Sequence, residues 1–389
     1  MRVRRLHRLL AVLVLLGAAA PAGLAQPASL LEDPIFEEQA KRGLGFLYNM
    51  QFTEAENVFD GLAAQHPDHP AAAFLRALVP WWRILADLSD TSHDEAFYDA
   101  MTVVVRRADR RLRRDRTDPD ALFFKGAALA FRARLRANRR DYLRAAFDAS
   151  AAKDYVLDVA RRDPDNADYQ FGKGVYDYYA ATLREDHPRF RPLLSLFARG
   201  DRERGLRLLE HTFQEGTYLQ AEAAYQLALL HYLHERDYDA ALRYTHWLRY
   251  YYPDNAFFHA LEGRIQAHFG HYDEADAIFR AVLLRHALRR SGYNDATAEQ
   301  ALYFLARNAM IRRDYDGALA HLYRLQQIAE RREEVSAFQV LGRLRQGMAF
   351  DARGEREAAV RRYEQVLALP DRSGAHDRAR RYLQTPYRG

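Results

Sequence analysis

Residues 272–282 read YDEADAIFRAV, residues 238–253 read YDAALRYTHWLRYYYP, and residues 315–325 read YDGALAHLYRL. Each opens on Tyr-Asp and places a small residue three positions after the tyrosine: Ala275, Ala241 and Ala318. Phe279 and Val282 follow four and seven positions after Ala275, on the same side of a helix of period 3.6. From Ala241 to Ala275 is 34 positions, a period that marks stacked helical hairpins. Working outward, FTEAENVF carries Ala55 and REAAVRRYEQV carries Ala359 in the same setting. Upstream of these alanines stand Gly43, Gly263 and Gly347, with Gly270 and Gly354 nearer the expected inter-helix turn. Two antiparallel helices joined by a short turn must approach closely, and a small residue on each permits it. A ring from the second helix, such as Phe59, Phe279 or Tyr363, fills the space that remains. One hairpin cannot bury its apolar face alone, so neighbours stack.

Pro-Asp pairs are expected to end second helices: Pro67-Asp68, Pro119-Asp120, Pro164-Asp165, Pro253-Asp254 and Pro370-Asp371. Gly216 and Ser291-Gly292 stand in where the proline is missing. The resulting hairpins are 35–68, 69–118, 119–165, 166–216, 217–254, 255–291, 292–335 and 336–371, with a capping helix at 374–384. No run of period-2, β-branched segments predicts a sheet. The fold class is therefore all-α, a superhelical solenoid of about eight hairpins. Hairpins two to four exceed the repeat length, so 35–216 is the irregular part and 217–389 the regular part. An insertion from Arg184 to Gly200 carries Pro188 and Pro192.

The N-terminus predicts export. Arg2, Arg4, Arg5 and Arg8 precede an apolar stretch from Leu9 to Ala20, and Gly23 and Ala25 suit cleavage before Gln26. Residues 1–25 read as a signal peptide and 26–34 as a linker. The 12-residue apolar stretch falls short of the roughly 20 residues of a spanning helix, and no other stretch reaches it. The expected location is periplasmic or secreted, with no transmembrane segment in the mature chain. The net charge of +5 includes those four arginines, so the mature chain stands near +1 (5 minus 4). That removes the general electrostatic case for nucleic acid. With no cysteine, thiol catalysis, disulfides and thiolate metal sites are excluded.

The YDEA-type signatures resemble the tetratricopeptide repeat family, most closely over 222–287 and least over 70–215. The resemblance implies a concave groove that holds peptides or partner helices. Its matching groove positions here include Gln226, Leu230, Arg264, Tyr303 and Arg307. The Lys and Asn clamp for a C-terminal carboxylate, found in one variant of that family, is not matched. Residues 171–209, with Phe171, Gly174, Pro192, Leu193-Leu194, Gly200-Asp201-Arg202 and Gly205-Leu206, resemble a segment of a eukaryotic tetratricopeptide family tied to inclusion clearance and lipid homeostasis. That implies shared architecture more than shared activity.

Partner-binding candidates come from departures from the repeat. In FGKGVYDYYAATL, residues 171–183, Phe171 and Tyr178-Tyr179 share one broad helix side, either as a groove wall or as packing between hairpins. Trp81-Trp82 follow Pro80. Adjacent helical residues point about 100° apart, which predicts one indole left available as an anchor unless the 88–95 loop covers it. RRADRRLRRDR, residues 106–116, is an anionic-lipid contact or a solvated face. His231 and His234, like His268 and His271, lack a third ligand at a useful offset. With no GxSxG, P-loop or GxGxxG after a strand, no catalytic, cofactor-binding or metal-ligating residue is assigned. The expected function is a non-catalytic envelope scaffold binding a protein or peptide, with peripheral contact to anionic lipid as the alternative.

Overall fold

A computed structural model describes residues 29–186 and 199–389, apart from the side chains of 183–186. The expected leader and residues 187–198 of the proline-bearing insertion lie outside the described residues.

The described chain is all-α, a solenoid of helical hairpins with no strand among the described residues. Hairpin one pairs α1 (Pro34–Tyr48) with α2 (Phe52–Gln65), and hairpin two pairs α3 (Pro70–Ala86) with α4 (Asp94–Arg114). Hairpin three is α5 (Pro119–Asn138) with α6 (Tyr142–Arg162), and hairpin four is α7 (Ala167–Asp186) with α8 (Arg202–Glu215). Hairpin five joins α9 (Gln220–Leu230), extended by a π-helical turn at His231–Glu235, to α10 (Tyr238–Tyr251). The sixth, seventh and eighth are α11 (Ala256–Phe269) with α12 (Tyr272–Ala287), α13 (Asp295–Ile311) with α14 (Tyr315–Ala329), and α15 (Ala337–Ala352) with α16 (Arg356–Leu367). Helix α17 (Ala375–Gln384) covers the end. Successive first helices touch, as α3 with α5, α11 with α13, and α13 with α15.

Many of the helices start where a side chain accepts an orphan amide. Asp33 takes the N–H of Ile35 and Phe36, and Asp237 and Asp314 cap α10 and α14. One expectation needs correction. Pro119-Asp120 does not end a helix: Asp118 is the N-cap, Pro119 opens α5, and Asp120 lies buried in its first turn. After two other pairs the cap falls on the next residue. Asn255, following Pro253-Asp254, accepts from Phe258, and Asn166, following Pro164-Asp165, accepts from Tyr169.

Inside a hairpin the helices meet at a glycine. A Cβ built on Gly263 would stand 2.8 Å from Phe279 Cζ, and the Phe59 and Tyr363 rings crowd Gly43 and Gly347 in the same way. All three rings and the neighbouring Ala55, Ala275 and Ala359 are buried. The turns share a second device. The residue seven after the small one takes left-handed backbone: Met50 (φ 60), Gly270 (φ 97), Arg313 (φ 61) and Gly354 (φ 78). Arg140 (φ 63) and Arg236 (φ 55) occupy the same place before their second helices. Glycine adopts this region freely and other residues at a cost of about 1–2 kcal/mol.

Two variants separate these devices. Phe279→Ala empties the space over Gly263 and is expected to cost about 3–5 kcal/mol. Gly270→Ala meets no atom within 4 Å, so only the backbone term of about 1–2 kcal/mol applies. Urea denaturation measures both. Equal losses, or none at position 279, would contradict the packing.

Candidate functional site

The partner-binding residues expected from sequence fall mainly in the core. Trp81 and Trp82 are both 0% exposed, so the expectation of one free indole is corrected. The reason is the setting of α3. Its residues from Pro70 to Leu85 carry only Arg76 and Arg83 as charges, and the helix is buried nearly all round. Trp81 packs on Phe97 of α4 and Phe131 of α5. Trp82 packs on Tyr48 of α1, Tyr225 of α9 and Phe258 of α11. The covering is done by other helices and not by the loop that follows α3. Tyr178 is likewise 0% exposed, and its hydroxyl donates to Glu235, which Arg202 also engages. Phe171 and Tyr179 are half-buried, and Gln226 donates to the Tyr179 hydroxyl at 3.0 Å.

These contacts show why the groove is not open along its length. Hairpins one and two reach across the superhelix axis and dock on hairpins five to seven. Asn255 Nδ2 donates to the Tyr48 carbonyl at 2.6 Å, and Ser291 Oγ donates to the Met50 carbonyl at 2.5 Å. Asn294 Nδ2 reaches the Ala86 carbonyl at 3.3 Å, and Arg332 pairs with Asp87 at 2.6 Å. The axis is filled by Trp82 and a buried polar group. Tyr48 Oη donates to Glu222 at 3.3 Å, and Arg134 Nη2 donates to Tyr225 Oη at 3.1 Å while lying over the Trp81 ring at 5.0 Å. Burial pushes the Glu222 carboxyl up, against the opposing pull of the Arg134 charge.

Beyond α11 the inner face carries unspecialised packing below and charged side chains above. Arg264, Arg307 and Met348 hold the same register as Arg134, each six residues before the left-handed turn residue (Gly270, Arg313, Gly354 and Arg140). Arg264 lies over Tyr232 at 5.3 Å, and Arg345 lies over Tyr303 at 4.8 Å. Arg307 Nη1 donates to the Ala267 carbonyl at 3.0 Å and to Asn308 Oδ1 at 3.3 Å. His268 Nδ1 lies 2.8 Å from Tyr232 Oη and 2.9 Å from the Arg264 carbonyl. Burial, then the neighbouring Arg345 charge, pulls the Arg307 guanidinium down. Burial, with Arg307, Arg264 and Arg345 beside it, holds the His268 imidazole below its usual range. Among the described residues no carboxylate forms an ion pair with Arg264, Arg307 or Arg345. Sequence reasoning placed Arg264, Tyr303 and Arg307 on the groove by resemblance. It missed Arg345, whose position is offset by three from the shared register and which reaches the group only through its long side chain.

The basic run on α4 behaves as a paired and solvated face. Arg110 meets Asp68 at 3.1 Å and Arg111 meets Asp118 at 2.7 Å, while Arg106, Arg113, Arg114 and Arg116 are exposed. No described helix is long and apolar enough to cross a membrane.

No family model and no curated protein matches the chain. Among solved structures it is similar to a human IFIT1 dimer with PPP-AAAA, at TM-score 0.48 and 13% identity over 86% of this chain and 73% of that one. It is similar to yeast Tom70 at TM-score 0.44 and 12% identity, over 91% and 89% of the two chains. The APC/C hetero-tetramer Cut9-Hcn1 matches at TM-score 0.22 and 13% identity, over 86% and 87%.

Trp82→Ala is expected to cost about 3–5 kcal/mol, as a large core truncation does. Arg307→Gln is expected to leave the urea midpoint unchanged or raise it, because it relieves repulsion within a group that lacks a carboxylate. A loss above about 1 kcal/mol in Arg307→Gln would contradict that reading of the cluster.

Proposed function

We propose that the protein is a non-catalytic scaffold of the bacterial envelope that holds a peptide or protein partner on the inner face of hairpins six to eight. One observation carries the reading. The chain fills its own axis with hairpins one and two, and the inner face that remains presents Arg264, Arg307, Arg345 and Met348, half-buried around Tyr232 and Tyr303. Arginine and tyrosine at a partly desolvated surface are the side chains in which binding energy concentrates. Trp81, Trp82 and Tyr178 serve the scaffold in this account, by fixing where the groove is closed. The envelope location rests on the leader expected at residues 1–25. The Ser29 hydroxyl donates to buried Asp120 at 2.5 Å, and cleavage before Gln26 leaves that contact whole.

The test places a photoreactive amino acid at Met348, in the groove register, or at Leu288, which is 60% exposed near the end of α12. Irradiation of intact cells and mass spectrometry of the envelope fraction then identify the adducts. A discrete partner joined through position 348 and not 288, on a chain starting at Gln26, is expected. Adducts from 288 alone, or from both positions equally, would remove the inner face as the binding surface. A chain starting at Met1 would remove the export reading.

A further inference from the structure

We infer that the inner face of hairpins six to eight takes an acidic peptide segment, with side-chain carboxylates seated between the guanidinium groups of Arg264, Arg307 and Arg345. The inference rests on the scaffold reading of that face and names the chemistry of what it holds.

The first support lies inside the molecule. Arg134, Arg264 and Arg307 share one register on three inner helices. Where the axis is filled, at Arg134, the chain supplies its own acceptor: Arg134 Nη2 donates to Tyr225 Oη at 3.1 Å, and the buried acid Glu222 lies within reach of its charge. At Arg264 and Arg307 nothing of the kind is supplied. The nearest acid on α11, Glu262, pairs with His246 and Arg249, and Asp351 on α15 pairs with Arg356. The same groove therefore holds one arginine bonded to a buried tyrosine with an acid of its own chain nearby and, beyond the closure, a set with no acid of the chain beside it.

The second support is the preparation of the donors. A guanidinium lying flat on a ring keeps its N–H edge free for a carboxylate, and the ring limits the conformations the side chain must give up on binding. Arg345 and Arg264 lie over Tyr303 and Tyr232, 4.8 and 5.3 Å from the ring centroids, and the one further contact of Arg345 among the described residues is a weak one from Nη1 to Met310 Sδ at 3.9 Å. Arg307 is held by the Ala267 carbonyl and Asn308. Arg345 Nε is buried without a hydrogen-bond partner among the described residues. Three cations gathered without a counter-charge repel one another, and two or more carboxylates remove that repulsion. A single extended strand repeats on one side about every 6.8 Å, so alternating acidic residues can serve successive inner helices roughly 9 Å apart through long arginine side chains.

The test measures fluorescence anisotropy of a labelled seven-residue poly-glutamate peptide, its glutamine counterpart, tripolyphosphate as a competitor, and anionic phosphatidylglycerol vesicles by flotation. The purified protein is compared with Arg307→Gln, Arg345→Gln and, on the outer face of α4, Arg113→Gln. The glutamate peptide should bind at low salt, and affinity should fall at least about tenfold in Arg307→Gln and in Arg345→Gln, as expected for loss of a charge-assisted hydrogen bond. Arg113→Gln should bind as the unaltered protein does, and the glutamine peptide should not bind. Circular dichroism establishes that each variant is folded, and Arg307→Lys, which keeps the charge, should recover part of the affinity. Equal binding of the two peptides, or unchanged affinity in the Arg307 and Arg345 variants, would overturn the inference. Displacement by tripolyphosphate far below the peptide concentration would overturn it in favour of a phosphate ligand. Flotation lost only in Arg113→Gln, with no peptide binding, would overturn it in favour of a lipid surface. If the glutamate peptide fails while adducts at position 348 persist, the acidic chemistry falls and the scaffold reading stands. If those adducts are absent, the scaffold reading falls as well.

Discussion

Hairpins one, six and eight depend on one close approach, a ring of the second helix lying on a residue of the first that has no Cβ. Gly43 with Phe59, Gly263 with Phe279, and Gly347 with Tyr363 repeat it at a separation of sixteen residues. The ring seals the hairpin where the backbones are nearest, and any side chain in place of the glycine would force them apart. Hairpin four solves the same problem with two glycines facing each other: a Cβ on Gly174 would stand 3.1 Å from the Gly205 carbonyl. Because each junction fixes the angle between its two helices, the sum of junctions fixes the curvature of the solenoid. That curvature brings α3 to α11 across the axis.

Closure then decides where function can reside. A repeat solenoid usually leaves its inner face open from end to end. Here the turn of hairpin one sits against the connection between hairpins six and seven, with Met50 against Gly292 and Ser291. Trp82 occupies the axis among Tyr48, Tyr225 and Phe258. Of the polar groups that accompany it, Glu222 accepts from Tyr48, and Arg134 donates to Tyr225 and lies over the Trp81 ring, whose own N–H has no hydrogen-bond partner among the described residues. A buried carboxylate and guanidinium are tolerated there because each has partners, and removing one would strand the other. The remaining inner face is short, cationic and aromatic, and among the described residues its three arginines form no ion pair with a carboxylate.

Much of this was legible in the sequence and some was not. The hairpins were legible because small residues and rings recur at fixed offsets, and because helix pairs are local, so their boundaries follow from caps and prolines. Of the groove positions implied by the family resemblance, Arg264 and Arg307 are half-buried, whereas Gln226, Leu230 and Tyr303 are buried. The burial of both tryptophans was not deduced, although α3 carries the clue in PAAAFLRALVPWWRILA, too apolar on every side for a helix with one wet face. The docking of hairpin one on hairpins five to seven was not legible at all. Asn255 to Tyr48 and Ser291 to Met50 join residues more than two hundred positions apart, and no local spacing encodes such a pair. Arg345 escaped for a related reason, since it enters the cluster from a different register.

Hairpin one closes the axis against hairpin six, and an engineered disulfide reports on that contact directly. The Asp254 amide donates to Asn49 Oδ1 at 3.4 Å, both residues are at the surface of that contact, and the chain has no cysteine to compete. In Asn49→Cys with Asp254→Cys, mild oxidation of the folded protein should convert nearly all molecules to a single cross-linked monomer that migrates faster on a denaturing gel. Thiols that stay free in the folded protein, or that react only after denaturant is added, would contradict the closure and with it the placement of the open groove.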